Sequence, residues 1–162
     1  MFVLAILIGI YSYLIFFLGL LGFLYRQNFV VLSVVCLIII IFFAKHSLNL
    51  FMFKDKAIVY IKKTSKLGLI FLALIGAQLI VNLIGALGPE LGFDALWYHL
   101  TLPKIYLANH SINYIPGGLF YYSAMPRLAE MLYVAGPAFG SEVFAKLIHF
   151  SFGILSLVAL YN

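Results

Sequence analysis

Between Pro89 and Lys146 the chain gathers most of what it has for chemistry: Glu90, Asp94, His99, Lys104, His110, Arg127, Glu130 and Glu142, including four of its five acidic residues. A carboxylate within hydrogen-bond reach of a hydroxyl can take its proton. An arginine can grip a phosphate through two parallel hydrogen bonds, and a lysine offers a mobile point charge. Each group also has a plainer use. Asp94 can cap a short helix, where exposed amides and the positive end of the dipole favour a carboxylate. Arg127 and Glu130, three residues apart, can pair along one helix. Lys104 and Arg127 can anchor in headgroups, and Tyr98 can sit in an aromatic belt at a water–lipid boundary. At about 100° per residue His99 projects away from Asp94, which weakens the case for a divalent metal held by the two. No cofactor beyond such a metal is suggested. His110 reads as a loop histidine, and His149 as a residue that packs or hydrogen-bonds between helices.

The elements that must position these groups are set by hydrophobicity. Of 162 residues, 65% are hydrophobic and 9% charged, against roughly 25% charged in an average soluble domain. A bilayer core about 30 Å thick needs roughly 20 mostly apolar residues per helical span. Four runs qualify: Met1 to Tyr25, the stretch between Arg26 and Lys45, Leu67 to about Pro89, and a last run that opens near Leu147 and is still apolar at Asn162. The last is short and has no basic exit, which suggests the N-terminal part of a longer enzyme. The first run lacks a preceding Lys or Arg and a small-residue cleavage site, so a retained anchor is favoured over a signal peptide. Gln78 and Asn82, one turn apart in the third run, are expected to face other helices. Cys36, the single cysteine, excludes a disulfide framework or cysteine metal cluster.

Lys45, Lys54, Lys56, Lys62, Lys63 and Lys66 crowd one short segment opposed only by Asp55. By the positive-inside rule this segment is cytoplasmic. The N-terminus is then cytoplasmic too, and residues 90–142 are extracytoplasmic, in a protein integral to the plasma membrane. Lying between two spans, the basic run suits anionic headgroups and argues against nucleic acid as a partner. The expected fold is an all-α membrane protein: a transmembrane hairpin over 1–44, a basic loop over 45–66, and a core over 67–162. That core comprises a span at 67–89, an outer loop of short interfacial helices at 90–142, and a span at 143–162.

The loop is divided by prolines. A first helix opened by Asp94 should end or kink at Pro103, with a second starting afresh over Lys104 to Asn109. Ser111 to Met125 is turn-rich and aromatic. Pro126 to about Ala135 looks helical, with Gly136-Pro137 as its break.

The sequence Asp94-x-x-x-Tyr98-His99-Leu100, then Pro103-Lys104-x-Tyr106, then Pro126-x-x-x-Glu130-Met131-Leu132-Tyr133, resembles the first outer loop of bacterial GT-C glycosyltransferases. The similar branch is that of the protein O-mannosyltransferases and the aminoarabinose transferases of lipid A, and the resemblance covers roughly 67–161. It implies an enzyme that moves a sugar from a polyprenyl-phosphate carrier to a lipid, glycan or protein acceptor, with inversion, at the outer membrane face. It implies Asp94 as the catalytic base, Arg127 and Lys104 as partners of the donor phosphate, and Tyr98 and His99 as supporting residues. Ala95 replaces the acid that follows this aspartate in the eukaryotic mannosyltransferases, and Pro126-Arg127 inverts the order of proline and base seen in relatives. The competing readings are a transporter subunit, which should carry ionisable groups within its spans, and a non-catalytic assembly or lipid-binding protein.

Overall fold

The computed structural model describes residues 2–47, 64–125 and 128–161, and every element among them is helical. Four long helices are α1 (Phe2–Leu20), α2 (Arg26–Ser47), α3 (Lys66–Leu87) and α7 (Val143–Tyr161). Between α3 and α7 come a π-helical turn (Ala95–His99), α4 (Thr101–Ala108), a 3₁₀ turn (Gly118–Ala124), α5 (Leu128–Tyr133) and α6 (Ala135–Phe139). Most of the basic segment of 45–66, with Lys54, Lys56, Lys62 and Lys63, lies outside the described residues, as does Arg127.

Three helices, α1, α3 and α7, are long and apolar enough to cross a membrane, whereas the apolar part of α2, Arg26–Phe42, is shorter. Their apolar side chains run all the way round rather than along one stripe, the pattern of a helix surrounded by lipid or protein on every side. Protein does not surround them. Leu37, Phe42, Leu67, Phe71, Leu74, Ile80 and Ile84 are among many large apolar side chains left exposed. Ser65 caps α3 by accepting from the Gly68 amide at 3.2 Å, and α3 stops at Gly88, ahead of Pro89.

The buried core sits at one end of these helices. There the short elements of 90–142, hereafter the cap, pack on Ile15 of α1, Leu24 and Phe29 through Leu102, Tyr106, Met131, Val134 and Ala138. The chain turns between α1 and α2 at Gly22, whose φ of 75° strains any other residue. Residues after α4 cross this turn: the Leu24 amide donates to the His110 carbonyl and the Ile112 amide to the Gly19 carbonyl, both at 3.0 Å. The His110 ring stacks on Tyr25 at 4.0 Å. Gly19 is small for a reason the sequence did not reveal, because a Cβ there would collide with the Ile112 side chain.

Two expectations about proline need correction. Pro103 does not end a helix but sits within α4, and Pro137 sits within α6 rather than after it. Both lie in a first turn, where the missing N–H has no intrahelical acceptor to lose. The break in the 126–139 stretch falls at Val134.

Candidate functional site

α3 hands the chain to the cap through a polar junction with the start of α7. Lys146 donates its ammonium to the Gly88 carbonyl at 2.8 Å and stands 3.7 Å from the Glu90 carboxylate. The Glu90 amide donates to Glu142 at 2.9 Å, while the Glu90 carboxylate accepts from the Gly92 and Leu91 amides at 2.7 and 3.0 Å. The Gly92 amide bond, helped by Lys146, holds this carboxyl below the usual range despite partial burial. The junction fixes where the next turn begins, and Asp94 opens that turn.

Asp94 is exposed and its side chain makes no cap hydrogen bond. The capping role that its position allowed is therefore not taken up. The π turn that follows closes through the Leu100 amide to the Ala95 carbonyl at 2.9 Å. The Thr101 hydroxyl donates to the Leu96 carbonyl and so occupies a second acceptor of the widened turn.

His99, at the end of this turn, reaches across the cap. Its Nδ1 lies 2.8 Å from the Glu130 carboxylate on α5. Glu130 is 8% exposed, and burial with the nearby Glu130 charge pushes the Tyr133 phenol up. Local spacing offered Arg127, which lies outside the described residues, as a partner of Glu130; among the described residues the structure brings His99 to it, 31 residues away. Tyr133 in turn shares a 2.8 Å hydrogen bond with His149 of α7, the interhelical role expected of that histidine.

An aromatic cluster flanks Asp94. Tyr98 stacks on Tyr122 with ring centres 4.3 Å apart, and Trp97 meets Phe93 edge-on at 5.0 Å and Tyr122 at 5.1 Å. Tyr98 therefore belongs to a ring stack and forms no hydrogen bond to Asp94. The hydrogen bond with Tyr121, then partial burial, then the charges of Tyr121, Tyr98 and Asp94 push the Tyr122 phenol up to about 12. It stays a neutral donor at any physiological pH.

Two clefts open on the cap. One, of about 410 Å³, is apolar and lined by Leu91, Phe93, Leu96 and Trp97 on either side of Asp94 in sequence. The other, of about 480 Å³, is lined by Lys104, Gly136, Pro137, Gly140, Ser141 and Glu142. Lys104 thus lines the cleft that Glu142 also lines, and not the groove formed by Leu91, Phe93, Leu96 and Trp97. Among the described residues no group of three His, Cys, Asp or Glu side chains is placed to hold a metal.

These elements define an all-α protein with three helices of membrane-crossing length and character, closed at one end by a polar and aromatic cap. No family model matches the chain, and no curated protein or solved structure matches it.

Proposed function

We propose that the chain acts as a GT-C-type glycosyltransferase in the plasma membrane. In this reading the lysine-rich segment is cytoplasmic and the cap faces outward. A sugar carried on a polyprenyl phosphate passes with inversion to a lipid, glycan or protein hydroxyl, and Asp94 takes the hydroxyl proton. One observation carries the reading: Asp94 is exposed, makes no side-chain cap hydrogen bond, and follows the membrane-length α3 within a stretch whose Leu91, Phe93, Leu96 and Trp97 line an apolar groove. A lipid carrier lying along α3 would bring its head to that place. Of the cations assigned to the phosphate by resemblance, Lys104 faces the Glu142 cleft and Arg127 is outside the described residues.

Removal of a positioned base typically slows a reaction by about 10²- to 10⁴-fold. Asp94→Asn should therefore abolish transfer from a radiolabelled prenyl-phosphate sugar to membrane acceptors, while the melting temperature stays within about 2 °C of the unaltered chain. Undiminished transfer by that variant would remove Asp94 from the chemistry. The same apolar groove also suits a non-catalytic lipid-binding protein, for which the unaltered chain would bind prenyl lipids and transfer nothing.

A further inference from the structure

Beyond Lys66 the only polar side chains of α3 are Gln78 and Asn82, and both are exposed. At a rise of 1.5 Å per residue they lie about 14 and 8 Å from the Leu87 end, inside a hydrocarbon core about 30 Å thick when α3 crosses a membrane. A carboxamide there is costly unless its donors and acceptors are met. The pair offsets part of that cost itself, because the Gln78 amide nitrogen donates to the Asn82 oxygen at 2.8 Å. This bond leaves the Gln78 oxygen and the Asn82 nitrogen with no partner among the described residues. An acceptor and a donor thus remain, one helical turn apart.

Among the described residues the neighbouring helix does not meet that need. α7 packs along α3, but its Ser151 and Ser156 hydroxyls bond back to carbonyls of α7, and Nδ1 of His149 meets Tyr133. The less exposed residues of α3, Gly76, Leu79 and Ala86, lie roughly 80–160° round the helix from Gln78. The amides therefore occupy an adjoining face that is left open. Leu74 and Gly85 continue this face, one turn before Gln78 and one turn after Asn82; a Cβ at Gly85 would meet nothing, so another backbone can come close there.

What remains on this face is its own complement. A second copy inserted in the same sense carries the same amides at the same depth, and a two-fold axis along the membrane normal sets the two faces together. The Asn82 nitrogen of each copy can then donate to the Gln78 oxygen of the other, across the depth of about 6 Å that the internal bond already spans. The outcome is a closed ring of hydrogen bonds, alternating within and between helices, in which each amide both donates and accepts. A foreign helix would need a donor and an acceptor of matching spacing at matching depth, which a copy supplies by symmetry. We propose that α3 pairs with the α3 of a second copy of this chain through Gln78 and Asn82. The pairing rests on α3 crossing the membrane and is independent of sugar transfer.

Copies of the full chain labelled with a donor or an acceptor fluorophore are reconstituted together in phosphatidylcholine vesicles over a range of protein-to-lipid ratios. Energy transfer should exceed that of random mixing, saturate as the ratio rises, and fall when unlabelled chain is added. Gln78→Leu and Asn82→Leu should each raise the dimer dissociation constant about threefold to thirtyfold, the range for hydrogen bonds between membrane helices. Emission from Trp97, the chain's single tryptophan, held in the cap by Phe93 and Tyr122, should not change, which separates loss of pairing from loss of fold. In a Cys36→Ala background, Leu74→Cys should form a disulfide between copies on mild oxidation, and Ile80→Cys, round the other side of α3, should not. Energy transfer no greater than random mixing at every ratio would overturn the proposal and leave this face to a different helix. Unchanged association in both leucine variants, or cross-linking through Ile80→Cys alone, would also overturn it. Rapid reaction of Leu74→Cys with a water-soluble maleimide would take α3 out of hydrocarbon and remove the premise. All of these measurements read association or exposure, so they stand whatever Asp94→Asn does to sugar transfer.

Discussion

α3 has 22 residues and buries one of them, Ala86, whereas α5 has six and buries Glu130, Met131, Leu132 and Tyr133. The two helices are held by different surroundings. An apolar helix such as α3 satisfies its backbone internally and is at ease in hydrocarbon without protein around it. α5 is too short to persist by its own hydrogen bonds and depends on packing against α1 and α7. The same split governs their polar residues. Gln78 and Asn82 on exposed α3 bond to each other at 2.8 Å, while Glu130 on α5 is reached from a different element.

If the comparison is sound, substitutions should differ in effect according to which surroundings they disturb. Met131→Ala, in the fully buried cap core, should destabilise the chain by about 2–5 kcal/mol in detergent-based denaturation. Gly19→Val should cost about 1–3 kcal/mol, since its side chain must displace Ile112 from the α1–α2 turn. The polar junction gives a smaller and pH-dependent effect. Because the Glu90 carboxyl is held below its unfolded value, its contribution is complete above the ordinary carboxylate range and is lost as pH falls through the lowered value. Stability measured from neutral to acidic pH should therefore decline less steeply in Glu90→Gln than in the unaltered chain. The smallest change is expected for Ile80→Ala on the exposed face of α3, within about 0.5 kcal/mol by the same denaturation assay. A large loss there would mean that α3 packs against protein on that face and would break the contrast.

The long helices were legible because hydrophobicity alone selects them. Each of the four apolar runs contains the greater part of a long helix, and the start of α7 at Val143 falls where the charged residues thin out. The cap was legible only in outline. Prolines marked its divisions but misplaced them, since a proline in a first helical turn looks the same in sequence as one that ends a helix. Asp94 stood out by its type and position, but whether it capped a helix or was left exposed depended on backbone geometry.

The sequence by itself determined that this chain is helical, that most of its length is suited to lipid, and that its ionisable groups concentrate in residues 90–142. These follow from composition and periodicity, which act along the chain. Tertiary structure alone decided that His99 meets Glu130, that Lys104 lines the cleft of Glu142 instead of the apolar groove of Leu91 and Trp97, and that Gly19 must admit Ile112. Those outcomes depend on contacts between residues far apart in the chain, whose geometry is fixed only when the cap closes on the helix ends.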